Sequence, residues 1–537
     1  MQRYFGLRGR SLNAALIWAL IMPAYLLFGY NNAVAGGLLD LPAWKSHNSQ
    51  IQGTVVACYT LGALFGALSC TLIGDWLGRK RTIMLGACVT CIGSILQCSS
   101  FSFAQLIVGR LITGVGFGMI SATAPNWQTE CSRAGHRGFV VMLEGLVSLF
   151  CVKFRNSAYP GAVHLRGLTI AAWLNYGMSH TTGDVSWRFP LAFSCFFAVI
   201  VFCSMPLWPE SPRWLIKKGR IEEARYVLAA LDDVPLDSPE IARDVEEIET
   251  SLQETGKGSF KDIFRNGDGR FANRAFIAAA TQCFQQMSGI NALAFYQTTI
   301  FRTFLGLSAD TARILSATVF TWQTLCAPIG AFTIEKVGRR KLMILGAAGM
   351  GLCMAVISGC TSHPTNHPAV HAAIAFVYLF SLFFVTGYLG LAFLYSSEIS
   401  PLSVRTPITA LSTTSTWVFN FTVVEASPPG FDSLGYKYFI IYAVINWFLI
   451  LPSKFDRMPV VPVRQWLTLF VFRAAVYFLF PETQGLHLES VDRIFLDSKN
   501  IFQPVRVARK LRAHAVRDEH GDMQIGEKIV AERKEKV

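Results

Sequence analysis

Charge is what this sequence has least of. Asp, Glu, Lys and Arg make up 15% of its 537 residues, where a soluble domain carries about a quarter. That excludes an ordinary soluble enzyme or binding module as the whole chain. The 13 cysteines stand singly in apolar stretches. They lack the spacing of a zinc site or a disulfide scaffold, and read as small buried hydrophobes. No Ser, His or carboxylate set has catalytic spacing, so the chain is not read as an enzyme, and it implies no cofactor. The net charge of +13 lies largely in loops between apolar runs, which makes it a matter of membrane topology rather than of nucleic acid.

What is abundant is apolar length. The chain is 52% hydrophobic and 13% aromatic, with a mean hydropathy of +0.38. About twelve runs near 20 residues long, enough to cross ~30 Å of hydrocarbon, recur from 14 to 480. The first, near 14–38, has no small-residue cleavage site and is not a removable leader. Arg79 to Arg81, Arg133 and Arg137, Arg213 to Arg225, Arg339 to Lys341 and Arg405 fall in alternate loops, while 99–102, 180–186 and 361–371 hold no Lys or Arg. The positive-inside rule makes the basic loops, and both termini, cytoplasmic. An integral, multi-pass protein with the lipid bilayer as its surroundings follows, expected in the plasma membrane.

The charged punctuation is duplicated. Gly74-Asp75-Trp76-Leu77-Gly78-Arg79-Lys80 returns as Glu335-Lys336-Val337-Gly338-Arg339-Arg340. Glu130 and Arg137, seven apart, return as Glu398 and Arg405, and Pro209-Glu210-Ser211 returns as Pro481-Glu482-Thr483. Two halves with the same punctuation in the same order indicate an internally repeated carrier. The domains read as an N-terminal six-helix bundle over 1–208, a cytoplasmic helical linker over 209–272, a C-terminal six-helix bundle over 273–483 and a cytoplasmic tail over 484–537. Physically, the acids and arginines at these helix ends suit a latch. Asp75, Arg79, Glu130, Arg137, Glu335, Arg339, Glu398 and Arg405 would pair when the bundles close on that side. Arg81 and Lys341 read as topology-setting charges only.

These motifs resemble those of the sugar porters of the major facilitator superfamily, over about 5–500. The family's G-D-x-x-G-R-R/K, D/E-x-x-G-R-R, P-E-S-P-R-W-L and P-E-T-x-G are all met, and P-x-Y-x-x-E is met with Trp127 in place of Tyr. The resemblance implies an all-α membrane protein of the major facilitator fold, with about twelve transmembrane helices in two six-helix bundles. It implies transport of a hexose or related sugar by alternating access.

A sugar's hydroxyls are matched by amides, which donate and accept without burying charge. Gln285-Gln286-Met287-Ser288-Gly289-Ile290-Asn291 matches the family's Q-Q-x-S-G-x-N. Gly289 and local unwinding could turn Gln285, Gln286 and Asn291 to one cavity. Gln323 stands where the family usually has an amide, and Trp417 and Asn420 match W-x-x-N. Phe295 and Tyr296 are aromatic platforms for a sugar face, and Phe393 stands where Trp is frequent. Proton-coupled members carry Asp in F-G-Y-D of the first span. Here the run is Phe28-Gly29-Tyr30-Asn31, and Asn31 cannot titrate; Arg110 is the family's partner for that position. This favours uniport; Glu144 in the fifth span offers another proton site, which keeps a proton–sugar symporter open. A non-transporting sugar sensor is the alternative from another class, though sensors usually append a longer tail.

Two stretches break spans. Residues 147–166 bring Lys153, Arg155, Pro160 and Arg166 into the fifth, and 453–474 bring Lys454, Asp456, Arg457, Arg464 and Arg473 into the twelfth. A central Lys or Arg costs ~3 kcal/mol on insertion scales, and Pro breaks the helical ladder. Val147-Ser148 and Ser453-Lys454-Phe455 can each be encoded around GTAAGT, a common fungal splice donor. Both stretches are therefore expected to be translated introns. Sequencing spliced transcripts should yield messages lacking both; messages that all retain them would refute this.

Overall fold

A helix in lipid must satisfy its own backbone, because hydrocarbon offers no water to do so. The computed structural model meets that demand: among the described residues it holds helices and no strand. It describes residues 7–38, 49–131, 160–255, 270–401, 404–450 and 480–481, with Tyr4, 263–264 and isolated positions between 494 and 508.

The first bundle comprises α1 (Gly9–Leu16), α2 (Met22–Leu38), α3 (Ser49–Leu77), α4 (Arg79–Cys98), α5 (Phe103–Glu130), α6 (Pro160–Met178) and α7 (Val185–Ser204). A π-helical stretch, Ile17–Ile21, joins α1 to α2. Three helices, α8 (Pro212–Lys217), α9 (Ile221–Asp232) and α10 (Pro239–Thr255), form the linker. The second bundle comprises α11 (Phe271–Met287), α12 (Ile290–Thr303), α13 (Ala309–Val337), α14 (Arg339–Thr361), α15 (His367–Phe384), α16 (Leu391–Glu398), α17 (Arg405–Leu434) and α18 (Tyr438–Ile450).

Seven stretches are both long and apolar enough to cross a membrane among the described residues. Ala309–Val337 and Arg405–Leu434 have the length as well, but are rich in Thr, Ser and amides, as suits helices beside a polar path. The helix α6 begins at Pro160 and runs through His164 and Arg166. The last seven residues of the first suspected insertion are therefore helical; 147–159 and all of 453–474 lie outside the described residues.

The repeat is visible atom by atom at the basic helix ends. Gly78 and Gly338 take positive φ, 88° and 98°, a region that a Cβ disfavours. Each lets a long helix turn directly into the next. Arg79 Nε then meets Glu130 at 3.1 Å, and Arg339 Nη2 meets Glu398 at 3.1 Å. Three residues before each glutamate, an aromatic donor reaches the proline of the closing motif. Trp127 Nε1 donates to the Pro209 carbonyl at 3.2 Å, and the Tyr395 hydroxyl donates to the Pro481 carbonyl at 2.9 Å. Trp for Tyr thus preserves the bond. Glu210 accepts from the backbone N–H of Lys80 at 3.1 Å and of Ser211 at 3.0 Å, placing a carboxylate on the N-terminus of α4, where the helix dipole favours it. Burial pushes its pKa up, against those hydrogen bonds and the charges of Arg79 and Lys80. Ser211 caps α8 with Pro212 as its first residue, which pre-sets the turn.

The linker is fastened to the first bundle. Arg8 donates to the carbonyls of Ala229 and Val234 and pairs with Asp233 at 3.5 Å.

Trp127→Phe removes the indole donor and leaves the Pro209 carbonyl unmatched, which should cost about 1–2 kcal/mol. The thermal midpoint of the purified protein should fall by a few degrees, while Trp127→Tyr, which supplies a hydroxyl, should recover much of the loss. An unchanged midpoint in Trp127→Phe would contradict the assigned bond.

Candidate functional site

The break at Ser288-Gly289 organises the polar interior. Gly289 has φ 94°, and a Cβ there would meet Met354 and Tyr442 at 2.7 Å. The chain therefore stops as α11 and restarts as α12. Across that break, amides from two helices share one acceptor on a third: Asn291 Nδ2 donates to Gln286 Oε1 at 2.6 Å, and Asn420 Nδ2 from α17 donates to the same oxygen at 3.3 Å. Gln286 Nε2 donates to Gln285 Oε1 at 3.0 Å, and Gln285 Nε2 donates to the carbonyls of Tyr388 and Leu389 at 3.0 and 3.1 Å. Those two carbonyls belong to a π-helical turn, Val385–Leu389, whose irregular backbone exposes acceptors that a regular helix spends internally.

Around this chain, several buried polar atoms have no hydrogen-bond partner among the described residues. They are Trp417 Nε1, Asn420 Oδ1, both polar atoms of the Gln282 amide, and the Tyr388 hydroxyl. Gln282 sits one helical turn before Gln285 and Gln286; that i, i+3, i+4 spacing was available in the sequence. Unspent donors and acceptors in a buried site each cost about 1–3 kcal/mol unless something hydroxylated meets them. Trp417 also meets Phe28 and Phe117 of the first bundle, both at 5.9 Å between ring centroids, so the amides lie beside an aromatic seam between the bundles. From the sequence, Phe28 is named only within the Phe28-Gly29-Tyr30-Asn31 run, and Phe117 not at all.

Other expected members fall elsewhere. Gln323 donates to Ser381 Oγ at 3.1 Å on α15 and does not join the amide chain directly. Phe393 is 45% exposed and has no described ring contact with Trp417. Tyr296 is not an open platform: its hydroxyl donates to the Val424 carbonyl at 2.9 Å and its ring edges onto Phe431. Asn31 turns back to the Leu27 carbonyl of its own helix at 3.1 Å. Arg110 donates instead to the carbonyls of Val55 and Val56, so no described bond joins the two.

Four of the latch residues form described pairs. The described pairs Arg79–Glu130 and Arg339–Glu398 each join helices of one bundle, and so brace the bundles rather than tie them together. Asp75, Glu335 and Arg405 lie in helices whose side chains there are outside the described set; Arg137 and Glu144 lie outside the described residues. No group of His, Cys, Asp and Glu that could hold a metal occurs among the described residues.

A recess opens between the bundles at the end away from the basic motifs. It is lined by Gly36, Asn175, Tyr176, Phe295, Thr298 and Arg313, among others. Close by, Trp173 Nε1 donates to Thr321 Oγ1 at 3.1 Å, and Thr169 and Thr324 hydroxyls meet at 3.2 Å, both between α6 and α13.

Comparison with known proteins places this geometry. A family model described as sugar (and other) transporter matches residues 17–456. The chain is 34% identical over 92% of its length to MFS-type transporter oryC of Aspergillus oryzae, covering 87% of that protein. It is 33% identical over 95% of its length to Sugar transporter STL1 of Saccharomyces cerevisiae, covering 86% of it. In structure it resembles the inward-open xylose transporter XylE of E. coli. The TM-score is 0.68 at 19% identity, over 90% of this chain and 99% of the other. The match shows the fold. With two bundles of membrane helices, a duplicated set of helix-end motifs and a family match over most of its length, the chain belongs to the sugar (and other) transporter family, in the major facilitator fold.

Proposed function

We propose that this protein carries a hexose or related sugar across the plasma membrane, with the two bundles rocking around the Gln285-Gln286-Asn291-Asn420 chain. The carrying observation is the set of unspent polar atoms on Gln282, Tyr388, Trp417 and Asn420 beside that chain. A hydroxyl-rich solute completes them, and Trp417 offers a face for its C–H surface. Sugar-named relatives, and a structural neighbour described as bound to 6-bromo-6-deoxy-D-glucose, support that choice of solute. Both termini and the linker lie on the cytoplasmic side in this reading.

Uniport is the favoured energetics. Asn31 cannot titrate, and its amide is already committed to Leu27. The alternative is symport, since a neighbour of the same fold is described as a proton:xylose symporter. A sensor role is not better supported: the chain is 28% identical to High glucose sensor RGT2 of S. cerevisiae, against 33% and 34% for the transporters above.

The translated-intron reading of 147–166 and 453–474 belongs to the same proposal. The family match stops at 456, just inside the second stretch. Asn446 donates to the Ser288 carbonyl and Phe480 stacks near Phe284, so contacts one turn apart on α11 are made by residues 34 apart in sequence. Removing 453–474 shortens that separation to 12, or about 18 Å of helix.

Labelled-hexose uptake in transport-null cells tests the function. The chain trimmed of both stretches should transport, unaffected by an uncoupler, and Gln286→Ala should lower uptake by roughly tenfold or more, as for sites that hydrogen-bond a hydroxyl. Absence of uptake of any sugar by a trimmed chain at the cell surface would contradict the proposal, and collapse with uncoupler would move it to symport.

A further inference from the structure

Arg110 and Glu425 are left incomplete by the bundles that carry them. Arg110 is 1% exposed. Its Nε and Nη2 donate to the carbonyls of Val55 and Val56 on α3 at 3.1 and 3.4 Å, and its guanidinium lies 5.2 Å from the Tyr59 ring centre. Its Nη1 has no hydrogen-bond partner among the described residues. A buried cation without a carboxylate is costly wherever water is excluded.

Glu425 comes from the other bundle, on α17. Its Oε1 accepts from Thr54 Oγ1 at 2.8 Å, the residue immediately before Val55 on α3. Its Oε2 has no hydrogen-bond partner among the described residues. Cys58 and Tyr296 are each within electrostatic reach of both Arg110 and Glu425. The backbones approach closely here: a Cβ on Gly53 would lie 3.0 Å from Pro428 Cγ. Glu425 and Arg110 each stand 20 residues, about 30 Å of helix, from the basic ends of α17 and α5. They therefore mark the outer face in the orientation proposed above.

We propose that Glu425 is the gating residue of the outer face. Its bond to Thr54, beside the Val55 and Val56 carbonyls that Arg110 holds on the same turn of α3, ties the two bundles together there. Opening outward breaks the bond, and water entering the gap takes over the Glu425 carboxylate and the Thr54 hydroxyl. The acid thus biases the alternating-access equilibrium toward the state closed outside. The braces Arg79–Glu130 and Arg339–Glu398 cannot supply this, because each stays within one bundle. The inference rests on the carrier reading and its orientation, but not on the identity of the solute.

Cys58, one turn beyond Thr54 and 8% exposed, is a native reporter of opening. Intact cells carrying the chain, as written or trimmed, whichever reaches the surface, would be treated with a membrane-impermeant maleimide. Labelling at Cys58 would be read by mass spectrometry, with Cys58→Ser as the control. Glu425→Gln keeps shape and acceptor but loses charge; Thr54→Val loses the donor; Thr54→Ser restores it. Labelling should rise at least about fivefold in Glu425→Gln and Thr54→Val, within the usual range of conformational coupling, and return to the starting level in Thr54→Ser. Unchanged labelling in both variants at the surface would overturn the gate. The assay needs no sugar, so a wild type that transports none would refute the solute assignment while leaving the labelling result valid.

Discussion

Hydrocarbon supplies no hydrogen bonds, so a polar atom inside this protein must be paired by the protein or left for something that enters. That constraint sorts the interior into two kinds of residue. Asn31, Thr82, Thr90 and Ser94 turn back to carbonyls of their own helices and are spent. The amides of Gln285, Gln286, Asn291 and Asn420 are spent mostly on one another, around a helix break that only Gly289 permits without a clash. Beside them, Gln282, Tyr388 and Trp417 keep polar atoms in reserve. A site of this kind favours a neutral, hydroxylated solute, because neither a charge nor a hydrocarbon would complete it.

The same constraint explains why polar bonds are concentrated within each bundle rather than across the seam between them. Within a bundle, the basic end is closed by an ion pair, a glycine turn and an aromatic donor on a proline carbonyl, all repeated in the second half. Between bundles the described polar bonds are fewer: Thr54 to Glu425, Trp173 to Thr321 and Thr169 to Thr324. The aromatic contacts of Trp417 with Phe28 and Phe117 complete the seam. Two bodies whose facing helices pack closely but share few polar bonds can exchange which face is open with few such bonds remade.

What the sequence disclosed was whatever depends on local order. The helix-end motifs are read within eight residues, and the Q-Q-x-S-G-x-N run names both the break and the amides around it. Helix length and apolar content gave the class of fold. What stayed hidden depends on which helices meet. Nothing local marks Glu425 as the neighbour of Thr54, more than 350 residues away, or commits the Tyr296 hydroxyl to Val424. Phe117 resembles an ordinary lipid-facing phenylalanine until the bundles are assembled. Arg79 with Glu130 and Arg339 with Glu398 do pair, but each described pair lies within one bundle, which spacing alone does not reveal.

The central claim is that the Gln286-centred amide chain is where the solute sits. Equilibrium binding of a radiolabelled hexose to purified protein, compared with Asn420→Ala and Gln282→Ala, addresses it without requiring transport. The account predicts saturable binding that is weakened in both variants. Binding in the parent that is unchanged by either substitution would place the solute elsewhere.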